Sequence, residues 1–134
     1  MQLFTAGLLI IEERKLLLAF RTNKQCFYLP GGKIDEGETP PSALCREIAE
    51  ELKLFLFEKD LVYYTHITAP AYGENEGVIM EQDCFLVNKR VNPEPAAEIG
   101  ELSYFTLAEY TQEKNTAPGA ILALQQLKTA NLID

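Results

Sequence analysis

The segment from Gly31 to Lys53 constrains the fold more than any other, because a glycine-rich stretch leads directly into a two-faced helix. Residues 31–37 (GGKIDEG) are too rich in glycine and polar residues for regular structure, and they predict a loop. Thr39 followed by Pro40 is typical of a helix start, since threonine caps free N–H groups and proline needs no donor at the first helical position. We therefore expect a helix from Pro40 to about Lys53.

The predicted helix has an apolar side and an acidic side. Large aliphatic residues share one arc when successive residues are set about 100° apart: Leu44, Ile48 and Leu52. This arc indicates packing against a sheet. An opposite arc, about 100° wide, carries Glu47, Glu50 and Glu51. Like charges three and four residues apart repel by a few tenths of a kcal/mol, so a positive partner would relieve them.

Two interpretations of the acidic side remain open. One is a solvated acidic face with Arg46 as a partial counter-charge, which is common for surface helices. The other is a site for a hard cation, Mg²⁺ or Mn²⁺, because carboxylate oxygens and a carbonyl of the glycine loop are the ligands that such ions prefer. Since Mg²⁺ in proteins commonly binds substrate phosphates, the second interpretation predicts a phosphate-bearing ligand.

The rest of the chain contains strand-like and helix-like segments. Strands are predicted at Leu3–Ile11, Lys15–Arg21, Phe27–Leu29, Leu61–Ala69, Val78–Asn88 and Leu102–Leu107, the first two as a hairpin around a tight turn at 12–14. A closing helix is predicted from Thr116 to Leu127, with Ile121, Leu122, Leu124 and Leu127 on its buried stripe. This mixture indicates an α+β fold in which a mixed sheet is flanked by helices.

Length, charge and cysteine content limit the classes of function. A chain of 134 residues fits one domain, 1–134. The net charge of −8 argues against a nucleic-acid polymer as partner. Apolar runs stay far below the ~20 residues of a membrane span, and the three cysteines lack the spacing of a zinc site or a disulfide framework. We expect a cytoplasmic protein that binds neither a membrane nor a nucleic-acid polymer.

The loop and helix together resemble the Nudix box, a signature of the form GX5EX7REUXEEXGU in which U is a bulky aliphatic residue. Residues 32–54 match it at Gly32, Glu38, Arg46, Glu47, Ile48, Glu50, Glu51 and Leu54. The one departure is Lys53, where the family has glycine. We expect Lys53 to lie just past the helix with a positive φ, where it either costs about 1 kcal/mol of local stability or tilts the helix end, without effect on the chemistry.

Similarity to small MutT-like Nudix hydrolases implies an α/β/α sandwich with a central mixed sheet. It also implies hydrolysis of a nucleoside diphosphate linked to another moiety, with Mg²⁺ or Mn²⁺ neutralising charge and helping to activate water. The first expectation is cleavage of a (d)NTP to NMP and pyrophosphate, by a monomer or a homodimer. The alternatives are a nucleotide-sugar pyrophosphatase of the ADP-ribose type and a silent Nudix module that binds nucleotide without turnover.

Two residues beyond the box bear on the substrate. Pro70 lies near the position where ADP-ribose-cleaving relatives carry a proline, and Tyr72 lies near the position where dinucleoside-polyphosphate relatives carry a tyrosine. These two indications cancel. The size of the chain is closer to that of MutT-type nucleoside triphosphate pyrophosphatases, which places (d)NTP cleavage first.

The resemblance also assigns roles to the matched residues. The implied metal ligands are the carbonyl of Gly31 and the carboxylates of Glu47, Glu50 and Glu51. Glu47 is in addition a candidate general base. Arg46 would orient the neighbouring glutamates, and Glu38 would tie the loop to the helix. The alternative without a functional role is that Arg46 and Glu38 form an ordinary surface ion pair, which contributes less than about 1 kcal/mol to stability.

Further site residues are expected outside the box. Glu98, ahead of Glu101, is the first choice for an additional metal ligand or base, because family members often carry such an acid before the last strand. The candidates to bind phosphates are Arg21, Lys33 and, less favoured, Lys24. The candidates to bind a base are Tyr28, Tyr72 and Tyr104 by stacking, and Asn115 by hydrogen bonding. Glu81 and Asp83 share one strand face that either lines the cleft or is simply exposed, and His66 is expected to be an ordinary strand histidine.

Overall fold

A computed structural model describes all residues of the chain, 1–134. The strands are β1 (Gln2–Leu9), β2 (Ile11–Glu12), β3 (Lys15–Arg21), β4 (Cys26–Tyr28), β5 (Gly31–Lys33), β6 (Leu61–Pro70), β7 (Ile79–Val87) and β8 (Ile99–Phe105). The helices are α1 (Pro40–Leu52), α2 (Leu107–Tyr110) and α3 (Pro118–Thr129), with a 3₁₀ turn at Glu58–Asp60. No helix has both the length and the apolar character needed to cross a bilayer.

The strands form two sheets that share the space between the helices. In the first sheet the order is β5-β1-β7-β6, with β1 and β7 parallel and the other neighbours antiparallel. In the second sheet β3 is central and pairs antiparallel with β2, β4 and β8. The predicted fold class, a mixed sheet flanked by helices, is confirmed.

The predicted hairpin of the first two strands is wrong for most of its length. β1 pairs with β5 and β7, and only residues 11–12 pair with 15–16. The chain changes sheet at Ile10, whose carbonyl accepts a hydrogen bond of 2.9 Å from the N–H of Leu17. The tight turn itself is present, because Glu13 and Arg14 both have positive φ. Local periodicity identifies a strand but does not say which strand it pairs with.

Three other predicted segments differ from the structure. The stretch predicted as a loop contains β5, which forms because its glycines pack against the backbone of β1. The last strand begins at Ile99 rather than Leu102, and Leu107 opens α2 instead of ending that strand. On α3 the buried stripe is Ala120, Ala123, Leu124 and Leu127, whereas Ile121 and Leu122 are only partly buried.

Each helix layer covers its own apolar core. Leu44, Ile48 and Leu52 of α1 pack with Leu8 and Phe85 on one side of the strands. The larger core on the other side includes the buried residues of α3 together with Leu9, Phe27 and Phe105. Because α1 is fixed by its apolar side, its polar side is directed at β5 and at the open ends of β3 and β8.

Candidate active site

The start of α1 is set by two reciprocal hydrogen bonds. The N–H of Ser42 donates to Oγ1 of Thr39 over 3.3 Å, and the N–H of Thr39 donates to Oγ of Ser42 over 3.0 Å. At the other end Lys53 adopts φ 54° and ψ 34°, the left-handed conformation expected for the position where the box has glycine. These two ends fix the register in which residues 46–51 meet the glycine strand.

Arg46 ties the residues before α1 to the helix. Its Nε and Nη2 donate to the two carboxylate oxygens of Glu38 over 2.7 and 2.8 Å, a bidentate pair, and its Nη2 donates to the carbonyl of Lys33 over 3.0 Å. Its Nη1 donates to Oε1 of Glu47 over 2.8 Å. The hydrogen bonds from Arg46, together with one from the N–H of Asp35, lower the pKa of Glu38 to about 2. Arg46 therefore holds Glu47 in place, as expected for the box arginine.

Both positions that open β5 are glycines, and each leaves room for a neighbouring group. Gly31 has φ 134°, and a side chain there would overlap the carbonyl oxygen of Ala6 on β1. A Cβ on Gly32 would lie 2.5 Å from Cδ of Glu47. The absence of side chains thus brings β5 close to β1 on one side and lets the carboxylate of Glu47 lie over the backbone on the other.

Glu51 is buried, contrary to its predicted place on the acidic outer side of the helix. Its side chain is 1% exposed, and its Oε1 accepts a hydrogen bond of 3.1 Å from the N–H of Gly31. In the helical projection Glu51 lies at the edge of the acidic arc, next to Leu44, and the close approach of β5 covers that edge. Burial raises the pKa of Glu51 to about 7, although Arg21 and the N–H of Gly31 act in the opposite direction.

Oxygen atoms from three elements converge on the guanidinium of Arg21. Its Nη2 lies 2.8 Å from Oε2 of Glu51 and donates to the carbonyl of Gly31 over 2.7 Å. Its Nη1 donates to Oε1 of Glu98 over 3.1 Å. Oε2 of Glu51 is buried and accepts no hydrogen bond with good geometry, so this contact is mainly electrostatic. The guanidinium of Arg21 therefore lies where the carbonyl of Gly31 and the carboxylates of Glu51 and Glu98 meet.

This donor set fits a divalent metal ion. Carboxylate and carbonyl oxygens are hard ligands suited to Mg²⁺ or Mn²⁺, and the buried Oε2 of Glu51 is paired electrostatically with the guanidinium of Arg21. In the present side-chain conformations, no group of three or more His, Cys, Asp or Glu residues is arranged to hold a metal ion. Arg21 and Arg46 instead form ion pairs with the carboxylates. Glu50 is the most exposed of the three glutamates, 58%, and lies 3.8 Å from Nη1 of Arg46.

A cavity of about 290 Å³ adjoins these groups. The predicted site residues that line it are Arg21, Lys24, Tyr28, Gly31, Lys33, Glu47, Tyr72 and Glu98. Tyr28 and Tyr72 meet edge to face with ring centroids 6.0 Å apart, and the hydroxyl of Tyr28 donates to the carbonyl of Tyr72 over 3.0 Å. The guanidinium of Arg21 lies 5.5 Å from the centroid of the Tyr28 ring. The cavity therefore joins a carboxylate-rich end to an aromatic wall.

Several candidate residues lie away from the cavity. The amide of Asn115 donates to the carbonyl of Gln25 over 2.8 Å, and the hydroxyl of Tyr104 donates to Glu12 over 3.1 Å. Neither residue lines the cavity. The side chains of Glu81 and Asp83 lie on the opposite face of β7. There Oε1 of Glu81 lies 2.7 Å from Nε2 of His66, and Oδ1 of Asp83 lies 2.8 Å from Nδ1 of the same ring. These acids belong to a separate surface cluster.

Two almost fully buried polar residues of the cavity were not identified from the sequence. Thr5 on β1 and Gln82 on β7 line the cavity although both are almost fully buried. The sequence feature that could have identified them is a polar residue at an inward-facing strand position whose neighbours are apolar. On β7, Gln82 is such a residue, because it shares one face with Met80 and Cys84. That signal is weak without knowledge of the cavity.

The comparisons with known proteins agree with this geometry. The family model for the NUDIX domain matches residues 1–127. An ADP-ribose pyrophosphatase from Methanocaldococcus jannaschii is 44% identical over 57 residues, which are 40% of this chain and 34% of that protein. The match thus spans about a third of that relative's length.

Solved structures show the same fold at low sequence identity. A MutT NUDIX hydrolase from Burkholderia pseudomallei has a TM-score of 0.77 at 23% identity, covering 95% of this chain and 98% of that one. The NUDIX domain of NrtR from Shewanella oneidensis, solved with ADP ribose, has a TM-score of 0.70 at 19% identity, covering 98% of this chain and 89% of that one.

Proposed function

The chain belongs to the NUDIX family, and from that membership and the geometry of the site we propose that it is a Mg²⁺- or Mn²⁺-dependent pyrophosphohydrolase of nucleoside diphosphate derivatives. The sequence-based predictions of the family and of the enzyme class, a hydrolase acting on pyrophosphate bonds, are confirmed. The observation that carries the proposal is the convergence of the Gly31 carbonyl, Glu51 and Glu98 on one cationic position beside a cavity.

The metal would be held by the carbonyl of Gly31 and by carboxylates of α1, with Glu98 as a further ligand or base. When bound there, a divalent ion supplies positive charge that neutralises a diphosphate and favours ionisation of water. Glu50 is the most exposed of the carboxylates of α1 and lies 3.8 Å from Nη1 of Arg46. The proposed ligands are Gly31, Glu47, Glu50 and Glu51.

Glu47 is the proposed general base. Its carboxylate lines the cavity, and its hydrogen bond to Arg46 leaves one oxygen available to accept a proton from an attacking water. Lys33 and Arg21 line the same part of the cavity and supply positive charge for the phosphates of the substrate. Glu38 acts through Arg46 and has no contact of its own with the cavity.

The proposed substrate is a (d)NTP, cleaved to NMP and pyrophosphate. The size of the cavity suits a nucleobase. The likeness of the whole chain to the structure of a MutT NUDIX hydrolase also supports this choice. The second candidate is a nucleotide sugar of the ADP-ribose type, which the name of the M. jannaschii relative and the ligand of the NrtR domain favour. The net charge of −8 disfavours a nucleic-acid polymer, and the three free cysteines suit a reducing cytoplasm.

The test is a substrate panel. Phosphate and pyrophosphate release is measured with (d)NTPs, oxidised dNTPs, nucleotide sugars and dinucleoside polyphosphates, each with Mg²⁺, with Mn²⁺ and with EDTA. We expect one preferred (d)NTP whose turnover EDTA abolishes. Preferred turnover of ADP-ribose would select the second candidate. Binding of nucleotide without any turnover would select the silent module and refute the enzyme proposal.

Substitutions test the metal assignment. Glu50→Gln and Glu51→Gln should each lower metal-dependent turnover by orders of magnitude, because each removes a charged ligand that acts in the transition state. Glu36→Gln is the matched control, since Glu36 is exposed and lies outside the cavity. Mn²⁺ binding measured by electron paramagnetic resonance should weaken in the first two variants and stay unchanged in the control. Normal turnover in both ligand variants would refute the assignment.

A further inference from the structure

The floor of the cavity carries two polar side chains that the proposed hydrolysis does not use. Thr5 of β1 and Gln82 of β7 face each other as register partners in the parallel pair, so their side chains lie side by side on one face of the sheet. Both line the cavity, and the residues are only 6% and 7% exposed. Their neighbours on that floor, Leu3 and Met80, are apolar.

The hydrogen-bonding capacity of this pair is largely unused within the chain. Oγ1 of Thr5 is buried without any hydrogen-bond partner. The amide oxygen of Gln82 has one weak contact, 3.9 Å from the thiol of Cys84, and its amide nitrogen donates to no group of the protein. Buried polar groups in native proteins are almost always paired, so an unpaired hydroxyl beside a free amide at a cavity wall indicates a ligand as the missing partner.

Glycine at position 7 makes room for this arrangement. A Cβ on Gly7 would lie 3.1 Å from both Cδ and Nε2 of Gln82 and 3.3 Å from Leu29. The amide of Gln82 therefore lies over Gly7 of β1, which is possible because residue 7 has no side chain. α3 contributes to the cavity Gly119, which has no side chain, and Ala120, whose side chain is a single methyl group.

We infer that Thr5 and Gln82 bind the polar edge of the substrate's nucleobase and are specificity-determining residues. An amide offers a donor and an acceptor in one plane, which matches the adjacent donor and acceptor on the edge of a base. Tyr28 and Tyr72 on the cavity wall supply aromatic surface for the same planar ring. Glu47 and Gly31 line the same cavity, so one nucleotide can contact both this pair and the proposed metal ligands. The inference rests on the proposed function for the identity of the phosphate-bearing part.

The first experiment measures binding rather than turnover. Affinity for the nucleoside monophosphate of the preferred base is measured by calorimetry in EDTA, for the unmodified protein and for Thr5→Val and Gln82→Met. Each substitution keeps the approximate shape and removes the hydrogen bonds, so we expect roughly tenfold weaker binding. Thr5→Ser, which keeps the hydroxyl, should bind like the unmodified protein. Thr68→Val is the matched control, because Thr68 pairs with Glu81 on the opposite face of the same sheet.

A kinetic comparison separates recognition of the base from a structural effect. With a (d)NTP, Thr5→Val and Gln82→Met should raise KM about tenfold with little change in kcat, whereas turnover of base-free inorganic tripolyphosphate should stay unchanged. Equal loss on both substrates would overturn the inference in favour of a structural role. Should either variant fail to fold, the unmodified protein serves, and a nucleotide whose base lacks exocyclic groups should bind about tenfold more weakly than the natural one.

The outcomes distinguish this inference from the proposed function. Unchanged nucleotide affinity in the folded Thr5→Val and Gln82→Met variants overturns the inference and leaves hydrolysis standing. Absence of turnover in the unmodified protein, with weakened monophosphate binding in both variants, refutes the hydrolase and supports base recognition by a binding module. Weaker binding together with the selective rise in KM supports both.

Discussion

Arg21 on β3 lies 2.8 Å from the buried Oε2 of Glu51 on α1, so one ion pair joins the second sheet to the helix across β5. The pair is well shielded, with side-chain exposures of 17% and 1%. Burial raises the pKa of Glu51 to about 7, and Arg21 counteracts that shift. The most buried carboxylate of the site therefore depends on a cation next to it, whether that is an arginine or a metal ion.

This dependence predicts opposite effects of the two partners on stability. Arg21→Ala leaves a buried carboxylate without its counter-charge and should lower the free energy of unfolding by about 2 kcal/mol, less than for a permanently charged group because Glu51 can take up a proton. Glu51→Gln removes the buried charge and should leave stability unchanged or slightly higher, while abolishing most turnover. Urea unfolding at pH 7.5 measures both.

Arg90→Ala is the control for that measurement, because Arg90 pairs with Glu12 at the exposed surface and its loss should cost less than about 1 kcal/mol. Equal destabilisation by Glu51→Gln and Arg21→Ala would contradict the prediction. It would mean that the pair acts through shape and hydrogen bonding rather than through charge.

The two glycines of β5 predict a separation of stability from activity. In Gly31→Ala the new methyl group overlaps backbone, which cannot move away without displacing β1, so we expect a loss of several kcal/mol or failure to fold. In Gly32→Ala the methyl group meets only the end of the Glu47 side chain, which can rotate, so stability should fall by less than about 1 kcal/mol. Turnover should nevertheless fall at least tenfold, because Glu47 loses its position.

Thermal unfolding and kcat of the three variants Gly31→Ala, Gly32→Ala and Gly37→Ala check this prediction. Gly37 has φ 85° and open space around it, so its variant reports the cost of backbone strain alone, about 1 kcal/mol. If Gly32→Ala retains full activity, the position of Glu47 over the glycine backbone has no role in turnover.

The sequence predicted those parts of the site that depend on neighbouring residues. The helix start at Thr39 and the left-handed Lys53 follow from local rules, and both are found. The box implied that Glu38 ties the loop to the helix and that Arg46 orients neighbouring glutamates, and hydrogen bonds join these two residues across the seven residues between them. Burial of Glu51 was not predicted, because it depends on β5 lying against α1 rather than on the helix alone.

The cavity itself was outside the reach of sequence reasoning. Its floor combines β1 and β7, which are remote in the chain and pair in parallel. The expected proximity of Asn115 failed for the same reason, because the segment after α2 is tied to Gln25 and Cys26 instead of turning to the cavity. The pairing of strands that are distant in the chain determines which face of a strand lines the cavity, and this pairing cannot be read from the hydrophobic periodicity of the sequence.

Lys53 offers a stabilising substitution. Its φ of 54° lies in the left-handed region, where a residue with a side chain is strained and glycine is not. Lys53→Gly should therefore raise the free energy of unfolding by about 0.5–1 kcal/mol. Urea unfolding is the measurement, and kcat should stay the same because Lys53 lies outside the cavity. Lower stability in this variant would show that the strain is already relieved by other contacts of the lysine.

The cluster of His66 with Asp83 and Glu81 predicts a pH-dependent part of the stability. Hydrogen bonds donated by its ring nitrogens to the carboxylates of Asp83 and Glu81 raise the pKa of His66 above its usual 6.5. Because the folded protein holds this proton more tightly than the unfolded chain, the contribution is complete below pH 6.5 and is lost as the pH rises through the raised pKa. The imidazole is 41% exposed, so solvent screening limits the contribution to about 1 kcal/mol or less.

Comparison of the unmodified protein with His66→Gln tests this contribution. The difference in free energy of unfolding should be largest at pH 6 and should shrink by pH 9, because glutamine keeps hydrogen-bonding groups but cannot carry the charge. Thr68→Val, which removes a neutral partner of Glu81, is the control and should show a difference that does not vary over this range. A His66→Gln difference that is constant from pH 6 to pH 9 would show that the histidine is neutral in the folded protein throughout. In that case the two carboxylates would be held by hydrogen bonds to an uncharged ring, and the cluster would not couple folding to proton uptake.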